Sequence, residues 1–190
     1  MLKFNFTPFP VLQTTRLLIR QLNKADAPSL FLLRSDPQVL QHIGREPAKS
    51  LEEVEKFIEK VNASAVANEA ILWGLATQAE PDKIIGTICY WQMEPENYRA
   101  EIGYALIPGH WGKGYMGEAI QSVLRYGFAT LQLNCIVGMV NPENIASWKA
   151  LEKAGFKKDG HLRHTIFFGG KFYDSLVYSF LQKEYNAADR

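Results

Sequence analysis

The sequence predicts one α+β domain spanning residues 1–190, in which a central mixed, mostly antiparallel sheet of about seven strands is flanked by about four helices. Two observations support this prediction. Stretches with apolar residues at helical spacing are separated by runs rich in β-branched and aromatic residues. Three of these runs follow one another with only short polar links, which favours an antiparallel meander.

The overall composition is that of a globular protein without a strong charge bias. Of the 190 residues, 47% are hydrophobic and 22% are charged, so the chain can bury a core without a disulfide or a metal. Lys and Arg number 21 against 20 Asp and Glu, which gives a net charge of +1. A nucleic-acid-binding protein usually has a basic excess, so this balance argues against nucleic acid as the main partner.

The N-terminal segment and the cysteines predict a cytoplasmic protein with no membrane partner. The first residues include Lys3, Asn5 and two prolines and lack the apolar run of a secretory signal. No stretch approaches the ~18 uninterrupted apolar residues that a membrane span needs. Cys89 and Cys135 lie in β-rich runs and are interpreted as reduced core thiols, with a catalytic thiol or a disulfide as the alternative.

The first third of the chain predicts a strand followed by two helices. Residues 15–21 read as a strand, Asp26 as the N-cap of a helix, and Pro37 as its end. Ser50 begins a capping-box pattern, and apolar residues recur at helical spacing after it. We therefore expect an amphipathic helix over residues 51–67.

The rest of the chain predicts four strands, two helices and a final hairpin turned by Gly169 and Gly170. Gly155 stands where the C-terminal glycine of a helix is common. The predicted strands are residues 71–77, 84–92, 99–107, 135–140 and the hairpin pair 163–168 and 172–181, and the predicted helices are residues 116–130 and 144–154.

The most informative segment is HisTrpGlyLysGlyTyrMetGlyGluAla (110–119), which lies between a predicted strand and a predicted helix. Its glycines let successive backbone N–H groups point into one concavity, and a helix N-terminus follows it. Such a concavity suits a diphosphate, to which Lys113 could add a direct charge. A tight strand-to-helix turn without a ligand is the alternative.

The same glycines, Gly112, Gly114 and Gly117, spell G-x-G-x-x-G, the fingerprint of dinucleotide-binding folds. The context fits that fold poorly. The fingerprint belongs directly after the first strand of a parallel unit, whereas a four-residue spacer (108–111) and three meander strands precede it here. A nucleotide- or NAD-dependent enzyme therefore remains only as the less favoured alternative.

Three ordered segments resemble the acetyl-CoA-binding core of the GNAT N-acetyltransferase superfamily. The opening segment ProValLeuGlnThrThrArgLeuLeuIleArg (10–20) and the closing PheTyrAspSerLeuValTyrSerPheLeu (172–181) are similar to its ribosomal-protein N-acetyltransferase, or RimJ/RimL-type, branch. The core segments are AlaGluIleGlyTyrAlaLeuIlePro (100–108), TrpGlyLysGlyTyrMetGlyGluAla (111–119) and AsnProGluAsnIleAlaSerTrpLysAlaLeuGluLysAlaGlyPhe (141–156).

This resemblance implies a set of residues that bind acetyl-CoA. The strand before the glycine segment would pair its backbone with the pantetheine arm as an added strand, which requires that strand and the next one to separate. The glycine segment would hold the pyrophosphate, and Asn144 would hydrogen-bond the arm. The implied residues are Leu106, Ile107, Gly112, Lys113, Gly114, Tyr115, Met116, Gly117 and Asn144.

Glu101 is our candidate for the general base that removes the ammonium proton of an acceptor amine. Strand alternation places it on one face with Gly103, Ala105 and Ile107, so a carboxylate stands beside two small residues, as in a substrate groove. A solvent-facing strand glutamate is the alternative.

Ser147 is our candidate for the acid that protonates the leaving thiolate. Many relatives use a tyrosine seven residues after the motif asparagine, but that position here is Leu151. Ser147 follows Asn144 by three residues and resembles the serine of the ribosomal-protein branch. A helix first-turn serine with a local hydrogen bond is the alternative.

The expected function is therefore transfer of an acetyl group from acetyl-CoA to a primary amine, by direct attack in a ternary complex. The acceptor is either a peptide or protein N-terminus or a small-molecule amine, and the resemblance adds the expectation of a homodimer. We expect no metal, because His161 and His164 have no carboxylate at ligand spacing. A non-catalytic acyl-CoA-binding module is the main alternative.

Overall fold

A computed structural model describes residues 2–188, with side chains through Asn186, and its strands form one eight-stranded sheet. In chain order the strands are β1 (Leu12–Gln13), β2 (Leu17–Gln21), β3 (Ile71–Thr77), β4 (Glu80–Glu94), β5 (Arg99–Leu106), β6 (Cys135–Val140), β7 (Lys157–Phe168) and β8 (Lys171–Leu181). They lie in the order β1-β2-β3-β4-β5-β6-β8-β7, and only β5 and β6 are parallel neighbours. The predicted mixed, mostly antiparallel sheet is confirmed, with the two-residue β1 as an additional strand.

Six α-helices lie within the described residues, and four of them match the predicted ones. They are α1 (Ala27–Ser35), α2 (Pro37–Leu40), α3 (Leu51–Val66), α4 (Tyr115–Arg125), α5 (Ile145–Ala154) and α6 (Gln182–Ala188). The additional α2 is a single turn whose first N–H groups are capped by Asp36, so Pro37 starts a new turn as well as ending α1. The additional α6 directly follows the last strand.

Asp26 is the N-cap residue of α1, as predicted, but its side chain makes no capping hydrogen bond to that helix. Asn23 caps the short 3-10 turn before α1, and Asp26 lies fully buried and pairs with Arg20 through two contacts of 2.8 Å. The cap at Ser50 is confirmed, since its hydroxyl accepts the Glu53 N–H at 3.2 Å.

Two strands extend beyond their predicted limits because pairing with a neighbour, rather than side-chain alternation, defines them. β4 begins at Glu80 rather than at residue 84, so the turn between β3 and β4 is shorter than predicted. The first four residues of β4 are exposed. β7 begins at Lys157 rather than near residue 163, although most of its side chains are exposed. The residues added at the start of these two strands therefore show no alternation of buried and exposed side chains that would predict a strand.

The helix predicted over 116–130 ends as an α-helix at Arg125 and continues as a π-helical turn over Tyr126–Thr130. The Tyr90 hydroxyl donates to the Val123 carbonyl at 2.9 Å. A Cβ placed on Gly127 would lie 2.4 Å from that hydroxyl. Glycine is thus required where the buried tyrosine meets the helix.

The sheet separates two apolar clusters. One contains α4 and α5 with the buried aromatic residues Trp73 and Tyr90. The other packs α1 and α3 on the opposite face, around Leu30, Leu33 and Ile58. Across residues 2–188, no helix has the length and apolar character needed to cross a membrane.

Candidate active site

The parallel strands β5 and β6 separate partway along their length. They pair over three residues only, from Arg99↔Cys135 to Glu101↔Val137. Beyond that point β5 stays paired with β4, and β6 stays paired with β8. A gap therefore opens beside the C-terminal half of β5, and this is the separation that the resemblance requires.

The register between β4 and β5 decides which backbone groups face this gap. The Ile107 N–H donates to the Ile85 carbonyl at 2.9 Å, so the alternation of an antiparallel pair turns the backbone groups of Tyr104 and Leu106 toward the gap. The Leu106 carbonyl accepts the Trp111 indole N–H at 2.8 Å, while the Ile107 carbonyl accepts an N–H of the following turn at 2.9 Å. Of the two predicted pantetheine-binding residues, Leu106 faces the gap, and both backbone groups of Ile107 bond within the chain.

The glycine segment forms an open loop at the N-terminus of α4. Gly112 and Gly114 have φ values of +72° and +78°, a conformation that side chains disfavour. A Cβ on Gly112 or Gly117 would have no neighbour within 4 Å, so a ligand can approach the backbone there. The first N–H groups of a helix have no partner within it, which suits this end of α4 to an anion. Lys113 donates from Nζ to the Gly109 carbonyl at 2.8 Å and lies beside this loop.

Arg16, from the turn before β2, holds the loop and the start of α4 together. It donates from Nε to Glu118 at 2.7 Å and from Nη1 to the Lys113 carbonyl at 2.9 Å. Its guanidinium carbon lies 4.8 Å from the centroid of the Tyr115 ring, and the neighbouring Met116 packs against the core. The sequence predicted the glycine loop, but it did not predict these contacts of Arg16, which we call the Arg16 clamp.

The start of α5 brings together Asn144, Ser147 and Tyr104. The Asn144 side-chain oxygen caps the helix by accepting the Ser147 N–H at 3.1 Å. The Ser147 hydroxyl donates to the Tyr104 hydroxyl at 3.0 Å, which in turn donates to the Ser147 carbonyl at 3.0 Å. Burial raises the pKa of Tyr104 to about 12, so this phenol keeps its proton at neutral pH. Leu151 is fully buried in the core, and the usual tyrosine position therefore holds packing rather than chemistry.

Glu101 lies at the point where β5 and β6 part. It is only 6% exposed, and its Oε2 is buried without a hydrogen-bond partner, so the solvent-facing alternative is wrong. Burial raises the pKa of Glu101 to about 7, although the charge of Arg99 and the side chain of Trp91 act in the opposite direction. A carboxylate with a pKa near neutrality can both accept and release a proton at physiological pH.

A cleft of about 560 Å³ connects Asn144 and Ser147, through Glu101, to α1 and the loop between α2 and α3. Its floor near Glu101 is made by small side chains of β4 and β5, namely Thr87, Cys89, Gly103 and Ala105. The predicted combination of a carboxylate with two small strand residues thus lines one cleft.

The far end of the cleft contains residues that the sequence did not indicate, namely Arg34 of α1 and His42 and Arg45 of the loop before α3. Trp91, which pairs with Glu101 across β4 and β5, also lines the cleft and is 44% exposed. The loop before α3 lacks periodicity, so its polar residues read as ordinary loop residues. The hydrogen bonds between Tyr104 and Ser147 were likewise not predicted. A single sequence gives no signal for these hydrogen bonds or for the cleft arginines, because both depend on contacts between distant segments.

Both cysteines are free, in agreement with their interpretation as reduced thiols. Burial raises the pKa of Cys89 to about 12, which disfavours a thiolate nucleophile in the cleft. His161 does have a carboxylate nearby, because its Nε2 lies 2.8 Å from Asp174 on the paired strand. Within the described residues, no group of three or more His, Cys, Asp or Glu side chains is arranged to hold a metal ion.

The fold and site define an acyltransferase, and comparison with known proteins identifies its family. The chain belongs to the acetyltransferase (GNAT) family, whose domain model matches residues 16–157. The dinucleotide-enzyme alternative is thereby wrong, in keeping with a glycine loop that follows an antiparallel meander.

Several proteins are similar to this chain over most of its length. YoaA, an uncharacterized N-acetyltransferase of Bacillus subtilis, is 37% identical over 92% of this chain and 98% of its own. A GNAT-family acetyltransferase from Bacillus anthracis superposes with a TM-score of 0.80 at 27% identity, covering 92% and 99% of the two chains. RimL, a ribosomal L7/L12 α-N-protein acetyltransferase in complex with coenzyme A, superposes with a TM-score of 0.82 over 90% and 98% of the chains. Its identity is 20%, so this likeness concerns the fold alone.

Proposed function

We propose that this protein transfers an acetyl group from acetyl-CoA to a primary amine by direct attack in a ternary complex. The observation that carries the proposal is the unpartnered carboxylate oxygen of Glu101 at the fork of β5 and β6, inside the cleft. We extend the proposal to one acetyltransferase domain over residues 1–190, since one sheet takes strands from Leu12 to Leu181.

The residues beside the gap fit acetyl-CoA. The edge of β5 at Tyr104 and Leu106 offers backbone groups to the pantetheine amides, and the loop from Gly112 to Gly117 offers N–H groups to the pyrophosphate. Asn144 lies at the start of α5, on the other side of the gap. Acetyl-CoA supplies the thioester, and these residues hold it in place.

Glu101 acts as the base in this proposal. An amine at physiological pH is mainly an ammonium ion and must lose a proton before it can attack. The buried carboxylate, whose pKa lies at about 7, accepts that proton directly or through a water. The new bond forms between the amine nitrogen and the acetyl carbon, and the carbon–sulfur bond breaks.

Ser147 and Tyr104 supply the proton for the departing sulfur. The Ser147 hydroxyl turns from Tyr104 toward the sulfur, and the Tyr104 hydroxyl, which lies 3.0 Å from both oxygens of Ser147, turns to donate to the serine oxygen. Over the whole reaction the ammonium group loses two protons, of which one ends on sulfur and the other in solvent.

The first experiment separates cofactor binding from catalysis. We expect acetyl-CoA to bind saturably in calorimetry, and Glu101→Gln to lower kcat by roughly 10²-fold while leaving the acetyl-CoA Kd nearly unchanged. The wild-type rate should rise with pH through about 7, because the base must be deprotonated, and the variant should lack this rise.

Three outcomes distinguish the alternatives. Absence of saturable binding at sub-millimolar acetyl-CoA would overturn the proposal. Tight binding with no coenzyme A release across amines and peptides would instead favour a non-catalytic acyl-CoA-binding module, an alternative that the apolar Leu151 at the usual acid position keeps open. Unchanged turnover in Glu101→Gln would remove this residue from the mechanism. Glu69→Gln, at an exposed position in the turn after α3, serves as the matched control.

The ribosomal-protein branch remains part of the proposal. The segments at 10–20 and 172–181 support it, together with the serine at position 147 in place of a later tyrosine. A cytoplasmic location and a homodimer stay predictions.

A further inference from the structure

The far end of the cleft holds three basic side chains that form no salt bridge with the rest of the described chain, although the charge of Glu53 acts on Arg34. Arg34, His42 and Arg45 all line it, and none of them takes part in an ion pair among the described residues. The carboxylate that shares the cleft, Glu101, also has an unpartnered oxygen.

Unpartnered buried polar atoms are concentrated in this cleft. Four side-chain nitrogen or oxygen atoms in the described part of the chain are buried without a hydrogen bond, and three of them belong to cleft residues. These three are Nδ1 of His42, Nε of Arg45 and Oε2 of Glu101. Because an unsatisfied buried polar group is costly, such a concentration indicates groups that a ligand completes.

The two guanidinium groups are suited to an anion. Arg34 lies over the Phe57 ring, with its guanidinium carbon 3.7 Å from the ring centroid, and this contact leaves its N–H groups free to donate. Burial lowers the pKa of Arg45 to about 10, and the nearby charge of Arg34 acts in the same direction. An anion bound between Arg34 and Arg45 would offset both the burial of Arg45 and the repulsion between the two guanidinium groups.

The arginines and Glu101 share one compact cleft. Arg34, Arg45 and Glu101 all line it, and its volume is about 560 Å³. Within it, Gly103 stands two residues along β5 from Glu101, which corresponds to about 7 Å. A Cβ on Gly103 would lie 3.0 Å from the Cys89 sulfur, so a larger side chain there would crowd the cleft.

We propose that the acceptor is a primary amine that also carries an anionic group, a carboxylate or a phosphate. Arg45 and Arg34 bind the anion, and the amine lies at Glu101. This inference rests on the proposed acetyl transfer and adds the substrate class. Polyamines and aminoglycosides are disfavoured, since their additional positive charges would meet the two guanidinium groups.

The test compares acceptors that differ only in the anion. Coenzyme A release is measured with β-alanine, 2-aminoethyl phosphate and a short peptide with Asp at its second position. The matched neutral amines are β-alaninamide, ethanolamine and the same peptide with Asn, and spermidine serves as a polycation. We expect kcat/KM to be about 10- to 100-fold higher for at least one anionic member than for its neutral partner, as for hydrogen bonds to charged groups. The member with the largest ratio distinguishes a free small molecule from a peptide N-terminus.

Variants identify the residues responsible. Arg45→Gln should bring the ratio of anionic to neutral kcat/KM close to one, mainly by raising the KM of the anionic acceptors. Arg45→Lys should restore part of the preference, because it keeps the charge and loses the planar fork. Arg125→Gln, in the exposed last turn of α4, removes the same charge elsewhere and should change nothing.

The two proposals fail in different ways. If neutral amines or spermidine react as well as the anionic members and Arg45→Gln changes no ratio, the anion site is wrong and acetyl transfer stands. If no acceptor reacts, the anion site is tested by calorimetry, which measures the binding of β-alanine and of β-alaninamide to the coenzyme A-saturated protein. A preference for β-alanine that Arg45→Gln abolishes supports the anion site without acetyl transfer, whereas equal or absent binding overturns it.

Discussion

Two buried carboxylates in this molecule have opposite surroundings, and the contrast defines the role of each. Asp26 is fully buried and receives two contacts from Arg20 and the backbone N–H of Asn23, all at 2.8 Å. Glu101 is almost as buried, but one of its oxygens has no partner. A satisfied buried carboxylate connects β2 to the start of α1, whereas an unsatisfied one facing a cleft is available to a substrate.

At the same scale, Ser147 and Tyr104 should act as one unit. We expect Ser147→Ala to lower kcat by roughly 10²-fold with little change in the acetyl-CoA KM, because only the departing sulfur needs that proton. Tyr104→Phe should lower kcat less, and the double variant should resemble Ser147→Ala alone, since both act on one proton. Steady-state kinetics of the four proteins measures this coupling.

Ser29→Ala, at a half-buried position in α1 away from the cleft, is the control for loss of a serine hydroxyl. Fully additive losses in the double variant would show that the two hydroxyl groups act independently and would contradict the proposed relay.

At the scale of elements, the site depends on how the start of α4 is held to the edge of the sheet. Glu118 in the first turn of α4 accepts hydrogen bonds from the Thr14 hydroxyl and from the backbone and side chain of Arg16. An acidic residue at this end also interacts favourably with the helix dipole. The N-terminal strands thus position the glycine loop, although they lie far from it in sequence.

We therefore expect Arg16→Ala to weaken acetyl-CoA binding by about five- to tenfold, because the loop must then become ordered when the ligand binds. The value of kcat at saturating acetyl-CoA should change little. Calorimetry gives the Kd, and Arg125→Ala at the other end of α4 is the matched control. An unchanged Kd for Arg16→Ala would show that the loop keeps its shape without the clamp.

At the scale of the whole molecule, Glu101 should lower the stability of the protein at neutral and alkaline pH. Its pKa lies near 4.5 in the unfolded chain and at about 7 in the folded one. Between these values the folded state retains a proton that the unfolded state releases, so the free energy of unfolding falls as pH rises. Above about pH 7 the folded protein carries a buried charge with an unpartnered oxygen.

Glu101→Gln removes this dependence and should stabilise the protein. We expect the gain to be small near pH 5 and to grow to about 1–3 kcal/mol at pH 8, allowing for solvent access through the cleft. Urea unfolding at both pH values measures it, with Glu69→Gln as an exposed control. A gain that stays constant between pH 5 and pH 8 would contradict the shifted pKa. If Glu101→Gln raises the free energy of unfolding increasingly with pH and also lowers kcat, then Glu101 supports activity at the expense of stability.

Much of the fold was accessible from local patterns. Helical patterns predicted α3 and α5 to within one residue at each end, and β-rich runs predicted β3 and β6 at their observed bounds. Strand alternation placed Glu101 on one face with Gly103 and Ala105, and all three line the cleft. The glycine spacing located the loop at the start of α4, because left-handed backbone positions leave a direct mark on the sequence.

The sequence by itself determined the fold class, the loop and the candidate base, since each follows from residues that are near neighbours in the chain. Only the tertiary structure decided where β5 and β6 part, which backbone groups face the gap, and that Ser147 meets Tyr104. It also decided that Arg34 and Arg45 share a cleft with Glu101. The physical reason is that register and side-chain contacts between distant segments depend on the packing of the whole chain, which leaves no periodic signal in any one segment.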